Sequence, residues 1–228
     1  MNIGDEKIVQ ATHILELCTI DDLAEYLCRN KKSLERRLPK LVSAKQLYRN
    51  RWASTEPFVY SVKDLSRRSP FTISHELMIT AVHTSLHRTG LLMDWRQGKD
   101  HWRDPVHQDA FCTLQVGGKT MDVFIETDNG TMNGKDMDAK IKTYLAHFEQ
   151  VHTPFRVLFV TTSQSRAKNL AKLAEGTISE KKRKLYLFTT LDRFRACPSG
   201  DVCFIPYETV LYSLLPQMVK VERIASKQ

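Results

Sequence analysis

Two β-like runs joined by a pair of glycines constrain this chain more than any other feature. The runs are Asp109–Val116 and Thr120–Thr127. The Gly117-Gly118 pair between them is typical of a tight β-hairpin. A two-residue loop there pairs Asp109 with Glu126, whereas a four-residue loop pairs Asp109 with Asp128. Either register places two carboxylates on one face of neighbouring strands.

Carboxylates that converge in this way need a compensating cation, because like charges repel. Mg²⁺ is ordinarily held by one or two carboxylates with water and phosphate oxygens. We therefore interpret Asp109, Glu126 and Asp128 as candidate metal ligands, and these three with Lys140 as candidate catalytic residues. Lys140 lies early in a helix predicted from Asp136 to Val151. The alternative is a solvated acidic hairpin end, with Glu126 or Asp128 capping the turn Asn129-Gly130, beside an ordinary surface lysine.

Residues 1–70 predict three short helices followed by two extended runs. The predicted elements are helices at Asp5–Leu17, after Thr19 and at Lys32–Ala44, then extended runs at Leu47–Trp52 and Phe58–Val62. Thr19 fits an N-cap, with Asp22 three residues on. Pro39 should kink or shorten the third helix. This order is that of a winged helix-turn-helix, whose third helix enters a major groove.

The third helix and the hairpin carry a cluster of cations. The candidate DNA-binding residues are Lys31, Lys32, Arg36, Arg37, Lys40, Arg49 and Arg51. The whole chain holds 34 Lys and Arg against 26 Asp and Glu, a net charge of +8. That sign favours a polyanion, so double-stranded DNA is the predicted partner, contacted mostly at its phosphates. A solvated basic helix face is the alternative.

A polar linker at Ser66–Pro70 divides the chain into predicted domains 1–68 and 69–228. The second domain predicts the order helix, three strands, helix, strand, and then a helix–strand extension. Besides the hairpin and the Asp136–Val151 helix, the predicted elements are a helix at Ile73–Arg88, a strand at Trp95–Arg96 flanked by Trp102, a strand at Arg156–Thr162, a helix at Gln164–Glu175, strands at Leu185–Thr190 and Cys203–Ile205, and a terminal helix at Glu208–Leu215.

Composition excludes several classes of protein. The five cysteines are odd in number and include no CxxC pair, which predicts free thiols in a reducing cytoplasm. No run approaches the roughly 18 apolar residues of a spanning helix. Residues 1–10 do not resemble a signal peptide. A cytoplasmic protein without membrane association is therefore predicted, and a homodimer is left open.

The predicted order of the second domain resembles the restriction-endonuclease-like αβββαβ core of PD-(D/E)XK nucleases. Three motifs add a closer resemblance: His107-Gln108-Asp109-Ala110, then Glu126-Thr127-Asp128-Asn129-Gly130-Thr131, then Lys140 with Tyr144. They are similar to the P-D-A, E-x-D-x-G-T and K-x-x-x-Y motifs of the replication-relaxation family of plasmids, phages and mobile elements. His75-x-Leu77, and Leu158–Thr162 followed by Arg166, also fit that family. It resembles a winged helix fused to a nuclease-like domain.

Two departures bear on activity. Gln108 stands where the family has proline. Asp128 occupies the lysine position of the nuclease E-x-K motif, so only Lys140 could replace that lysine.

Two functions remain open at this point. The resemblance implies a DNA-binding protein of a mobile element that acts in replication, transfer or transcriptional control. The alternative is a Mg²⁺-dependent DNA endonuclease or nickase that uses Asp109, Glu126 and Lys140. The lysine departure favours the first, and the carboxylate register favours the second. Mg²⁺ is expected only if the nuclease-like site is intact.

Overall fold

The structure is a computed structural model that describes residues 3–51, 53–98, 106–151 and 155–215. Trp52 and Trp102 lie outside these ranges. The amino-terminal elements are α1 (Ile3–Leu15), β1 (Leu17–Thr19), α2 (Ile20–Tyr26), α3 (Lys31–Ser43), β2 (Tyr48–Asn50) and β3 (Val59–Ser61). The later elements are α4 (Pro70–Arg88), β4 (Leu92–Gln97), β5 (Ala110–Val116), β6 (Lys119–Asp128), α5 (Gly134–Gln150), β7 (Phe155–Thr161), α6 (Gln164–Glu175), a 3₁₀ helix (Glu180–Leu185), β8 (Tyr186–Thr190), α7 (Leu191–Ala196), β9 (Asp201–Cys203) and β10 (Tyr212–Ser213).

The amino-terminal elements form three helices against a small antiparallel sheet of order β1-β3-β2. α2 begins with a capping box: the Asp22 amide donates to the Thr19 hydroxyl, and the Thr19 amide donates to the Asp22 carboxylate at 2.9 Å. These reciprocal bonds satisfy amide groups that a helix start otherwise leaves unpaired. The strand β1 was missed by the sequence analysis.

Helix α3 runs through Pro39 and is not shortened by it. Proline removes one helical hydrogen bond. Leu34, Leu38 and Leu41 are buried on one face of α3, in the same core as residues of α1 and α2. Packing of that face therefore outweighs the local cost of the proline.

The second part of the chain is a mixed α/β fold around a five-stranded sheet of order β4-β5-β6-β7-β8. β4, β5 and β6 are antiparallel, and β6, β7 and β8 are parallel. The described chain thus follows the predicted order α4, β4, β5, β6, α5, β7. Alternate residues of β6 face opposite cores: Phe124 packs with α5 and α6, and Val123 packs with α4.

The hairpin has the two-residue loop. Val116 pairs with Lys119 and Ala110 pairs with Ile125, so the four-residue alternative is wrong. Gly117 and Gly118 have φ values of +57° and +78°. Two consecutive positive φ angles are what the favoured hairpin turn demands, and glycine adopts them without strain.

The carboxyl-terminal prediction fails in two places. Residues 208–215 form no helix, because β10 pairs with β9 there, and Tyr207 just before has a positive φ of 65°. The apolar spacing that suggested a helix instead reflects Leu214 and Leu215, which are buried in the core facing α4. The short helix α7 was missed by the sequence analysis. All five cysteines are free thiols, and no described helix is long and apolar enough to cross a membrane.

Helix α4 joins the two parts of the chain. Its Thr80 hydroxyl is buried and donates to the Leu17 carbonyl at 2.6 Å, with the Leu15 carbonyl at 3.2 Å. Arg88 lies 3.1 Å from Glu25 of α2. Arg195 of α7 also reaches α2, at 3.3 Å from the buried Asp22 carboxylate.

Replacing Thr80 by Val should lower the free energy of unfolding by about 1–3 kcal/mol, because the Leu17 carbonyl at the buried junction loses its hydroxyl donor. Thr84→Val is the matched control. The Thr84 hydroxyl is equally buried, but it bonds only carbonyls of α4 itself. Urea denaturation of both variants measures the difference, and equal losses would show that the Thr80 bond does not stabilise the junction.

Candidate functional site

The candidate site lies at the carboxyl end of β6. Helix α4 packs on one face of the sheet there, and α5 and α6 pack on the other. β6 supplies Glu126, Thr127 and Asp128, and Asp109 lies just before β5. The surrounding helices supply His75 from α4, Lys140 and Tyr144 from α5, and Arg166 from α6.

Glu126 is buried and is held by two side chains of α5. Lys140 Nζ donates to Glu126 Oε2 at 2.6 Å, and the Tyr144 hydroxyl donates to Oε1 at 2.5 Å. Lys140 also donates to the His107 carbonyl at 2.7 Å. The pKa of Glu126 is raised to about 7. Burial is the largest cause and the charge of Asp109 adds to it, while Lys140 and Tyr144 act in the opposite direction.

Asp109 bonds to the neighbouring strand and to α4. Its Oδ2 accepts from the Thr127 amide at 2.7 Å and from the Thr127 hydroxyl at 2.9 Å. His75 Nε2 lies 3.3 Å from the same oxygen and 2.9 Å from the Thr127 hydroxyl. Burial alone would raise the pKa of Asp109, but these donors and the charge of Lys140 hold it below its ordinary value. The bond to Asp109 raises the pKa of His75.

Asp128 is buried and turned to its own loop. Its Oδ1 accepts from the backbone amides of residues 130, 131 and 132, at 3.1, 3.0 and 2.9 Å. Its Oδ2 accepts from Arg166 Nε at 2.5 Å, and Arg166 also bonds the Met132 carbonyl. Asp128 therefore caps the turn that follows β6, as the alternative interpretation of the sequence had it, whereas its bond to Arg166 was not predicted.

The predicted three-carboxylate metal site is not formed. Within the described ranges, no group of three or more His, Cys, Asp and Glu side chains could hold a metal ion. Each of the three carboxylates instead lies beside a basic side chain: His75 for Asp109, Lys140 for Glu126 and Arg166 for Asp128. Mg²⁺ would have to displace these donors, so the residues present do not fit a Mg²⁺ site.

The structure places the amino-terminal cations in three different settings. Lys32, Arg36 and Lys40 are exposed on α3. Lys31 pairs with Asp21 at 2.7 Å, and Arg37 pairs with Asp5 of α1 at 2.7 Å. The Arg49 and Arg51 guanidinium groups lie 4.4 and 4.1 Å from the ring centroid of Phe58. Arg37 is thus paired within the fold, and its assignment as a DNA-binding residue stays a prediction.

The sequence analysis named His75, Tyr144 and Arg166 only through the family resemblance. One signal was available for Tyr144, because Lys140 and Tyr144 are four residues apart and so share a helix face. The Asp128–Arg166 pair joins residues 38 positions apart, and no local pattern reveals such a contact.

A family model described as replication-relaxation matches residues 43–162, more than half of the chain. The chain belongs to the replication-relaxation family. The region shared with this family includes His75, Asp109, Glu126 and Lys140, and it ends just before Arg166. No curated protein matches this replication-relaxation chain.

Two solved structures are also similar to the chain. They are of the restriction endonuclease FokI, alone and bound to DNA, at 10% and 11% sequence identity and with TM-scores of 0.35 and 0.31. The match covers 85% and 84% of the replication-relaxation chain, which spans 43% of the FokI chain in each case.

The raised pKa of Glu126 predicts a specific pH dependence. Between its ordinary pKa near 4.5 and about 7, the folded protein binds a proton that the unfolded chain does not. The free energy of unfolding should therefore fall as pH rises through this window, by at most about 1.4 kcal/mol per pH unit from this residue. Glu126→Gln should remove that contribution.

Urea denaturation of the wild type and the variant at several pH values between these limits gives the measurement. The pKa of His75 is also raised, by its bond to Asp109, but His75 is present in both proteins, so its contribution largely cancels in the comparison. Parallel stability profiles of the two proteins would contradict a raised Glu126 pKa.

Proposed function

We propose that this chain is a DNA-binding protein of a mobile element, acting in replication, transfer or transcriptional control. In this proposal residues 1–68 form a winged helix that binds duplex DNA. Residues 69–228 form a nuclease-like domain that carries it. Family membership supports the role in replication, and the arrangement of the amino-terminal elements supports the mode of binding.

The order α1, β1, α2, α3, β2, β3 with the sheet order β1-β3-β2 supports a winged helix. In helix-turn-helix proteins the second helix of the motif lies in the major groove. Here α2 and α3 form that pair, so α3 is the proposed recognition helix. β2, β3 and the segment between them form the proposed wing.

The observation that carries this proposal is a basic stripe on α3, formed by Lys32, Arg36 and Lys40. Residues four apart lie on one helix face, so these three exposed cations form a continuous row. The buried leucines of α3 lie on the opposite face. The core thus holds α3 with its cations outward, as phosphate contacts require.

The proposed wing adds Arg49 and Arg51. Both guanidinium groups lie on the Phe58 ring, and such cation–π contacts are attractive. An arginine held on a ring keeps its remaining donors in a defined direction. We propose that these donors contact the DNA backbone beside the groove that α3 enters.

Neutralising the basic stripe with Lys32→Gln, Arg36→Gln and Lys40→Gln together should weaken duplex binding. If each residue contacts a phosphate, the salt slope of log affinity should fall by about 0.9 for each lost contact. Fluorescence anisotropy with a labelled duplex at several salt concentrations measures affinity and slope together.

The matched control is Lys119→Gln, Lys142→Gln and Lys181→Gln. It removes the same charge from exposed lysines outside the amino-terminal elements. Equal losses in the two triple variants would mean that net charge alone drives binding. The proposed recognition helix would then be refuted.

A metal-dependent nuclease or nickase is the second candidate function. The observation that favours it is the meeting of Asp109, Glu126 and Lys140 at the end of β6, where the charge of Asp109 acts on Glu126 and Lys140 contacts it directly. Against it stand the basic side chains of His75, Lys140 and Arg166, which already lie beside the three carboxylates.

Millimolar Mg²⁺ or Mn²⁺ should leave the melting temperature unchanged and should not cause cleavage of supercoiled or linear duplex DNA. The reason is that the carboxylates are already paired with side-chain cations. A metal-dependent rise in melting temperature that Glu126→Ala abolishes would instead establish a metal site. Cleavage that is lost in the same variant would favour the nuclease.

A further inference from the structure

The parallel strands β6, β7 and β8 end side by side. Asp128 pairs in register with Thr161, and Thr161 pairs with Thr190. Helices α6 and α7 begin at this same boundary, with Ser163 and Thr190 as their N-caps. We call this boundary the carboxyl edge: the ends of β6, β7 and β8 with the first two turns of α6 and of α7.

Two cations share one aromatic ring at the carboxyl edge. Lys168 Nζ lies 5.4 Å from the Phe204 ring centroid, and the Arg193 guanidinium carbon lies 5.5 Å from it. Arg193 also donates to Gln164 Oε1 at 3.0 Å, which joins α7 to the start of α6. Phe204 is itself fixed, because its backbone pairs with Phe188 of β8.

Lys168 and Arg193 form no salt bridge with any acid in the described ranges, although acids are close along the edge. Glu126 and Asp128 are already paired with Lys140 and Arg166, and Asp109 lies beside His75 and accepts from the Thr127 amide. Their charges therefore do little to cancel those of Lys168 and Arg193. An opening of about 400 Å³ lies beside Lys168 and Phe204 and is also lined by Lys172 and by two acids, Glu175 and Glu208. Glu208 pairs with Arg183, and Glu175 accepts from the Tyr207 amide.

We propose that the carboxyl edge is a second phosphate-binding surface of this protein, with Lys168 and Arg193 contacting the DNA backbone. This inference rests on the proposed function, because it takes DNA as the partner. A phosphodiester is the ligand that fits, because neither cation has an acidic partner among the residues that the structure describes, and because ligands of open α/β sheets bind outside the carboxyl ends of their strands.

Because Lys168 and Arg193 both contact the Phe204 ring, their charged groups are held close to each other. Each cation–π contact restricts a long side chain that would otherwise lose freedom on binding. Neighbouring phosphates of one strand can then meet both cations without reordering of the side chains. Contacts of this kind position DNA and carry no sequence information.

The test is the double variant Lys168→Gln and Arg193→Gln in the full chain, measured by duplex anisotropy across salt concentrations. Two lost phosphate contacts should lower the salt slope by about 1.8, at 0.9 for each, and should weaken binding. The control is Lys119→Gln with Lys181→Gln, an equal loss of charge. Lys119 begins β6 and so lies at the opposite end of the sheet.

Lys168→Arg with Arg193→Lys keeps both charges and should retain most of the slope. Thermal melting followed by circular dichroism confirms that each variant is folded. A slope in the Gln variant equal to that of the control would overturn this proposal, while an effect of the α3 stripe in the same assay would leave the proposed function standing. If the Lys168 and Arg193 variant loses binding but the variant of the α3 stripe does not, the carboxyl edge would stand as a DNA-binding surface. The proposed winged-helix role would then be refuted.

Discussion

The buried carboxylate of Glu126 is the constraint on which the candidate site depends. Moving a charge out of water is costly unless it is paired and hydrogen-bonded. Lys140 and Tyr144 do both from one face of α5, at 2.6 and 2.5 Å. These two bonds set the rotation of α5 over β6. Lys140 also donates to the His107 carbonyl, so the same side chain joins α5 to the segment before β5.

The same principle explains how three acids can lie at one strand end. Each lies beside a basic side chain from a different helix: His75 of α4, Lys140 of α5 and Arg166 of α6. A carboxylate satisfied by a side chain has little to gain from exchanging it for a hydrated ion. This is the physical argument for the proposed DNA-binding role over the metal-dependent alternative.

The hairpin could be predicted from the sequence for local reasons, because two glycines between β-like runs specify a turn and strand alternation specifies which side chains share a face. The sequence leaves the loop length open, so Asp109 is predicted opposite either Glu126 or Asp128, and the structure has the register of the two-residue loop. Capping of the following turn by Asp128 was an alternative, but its pairing with Arg166 could not be predicted in this way. Its carboxylate follows its own loop and a distant Arg166, so a correct face assignment still misplaced its chemistry. The prediction of a helix over residues 208–215 was wrong for a related reason. Leu214 and Leu215 are apolar because they pack in the core between the sheet and α4.

Helix α4 gives the two proposed DNA surfaces a fixed relation. His75 near its start reaches Asp109, Thr80 in its middle bonds the backbone of β1, and Arg88 at its end pairs with α2. α4 also packs against α7, through Phe194 in the core that holds Val82 and Leu86. One rigid helix thus connects the recognition-helix motif to the carboxyl edge. If both surfaces bind one DNA molecule, the spacing of its contacted phosphates is set by the protein and not by a flexible linker. Binding at one surface would then raise the effective concentration of DNA at the other.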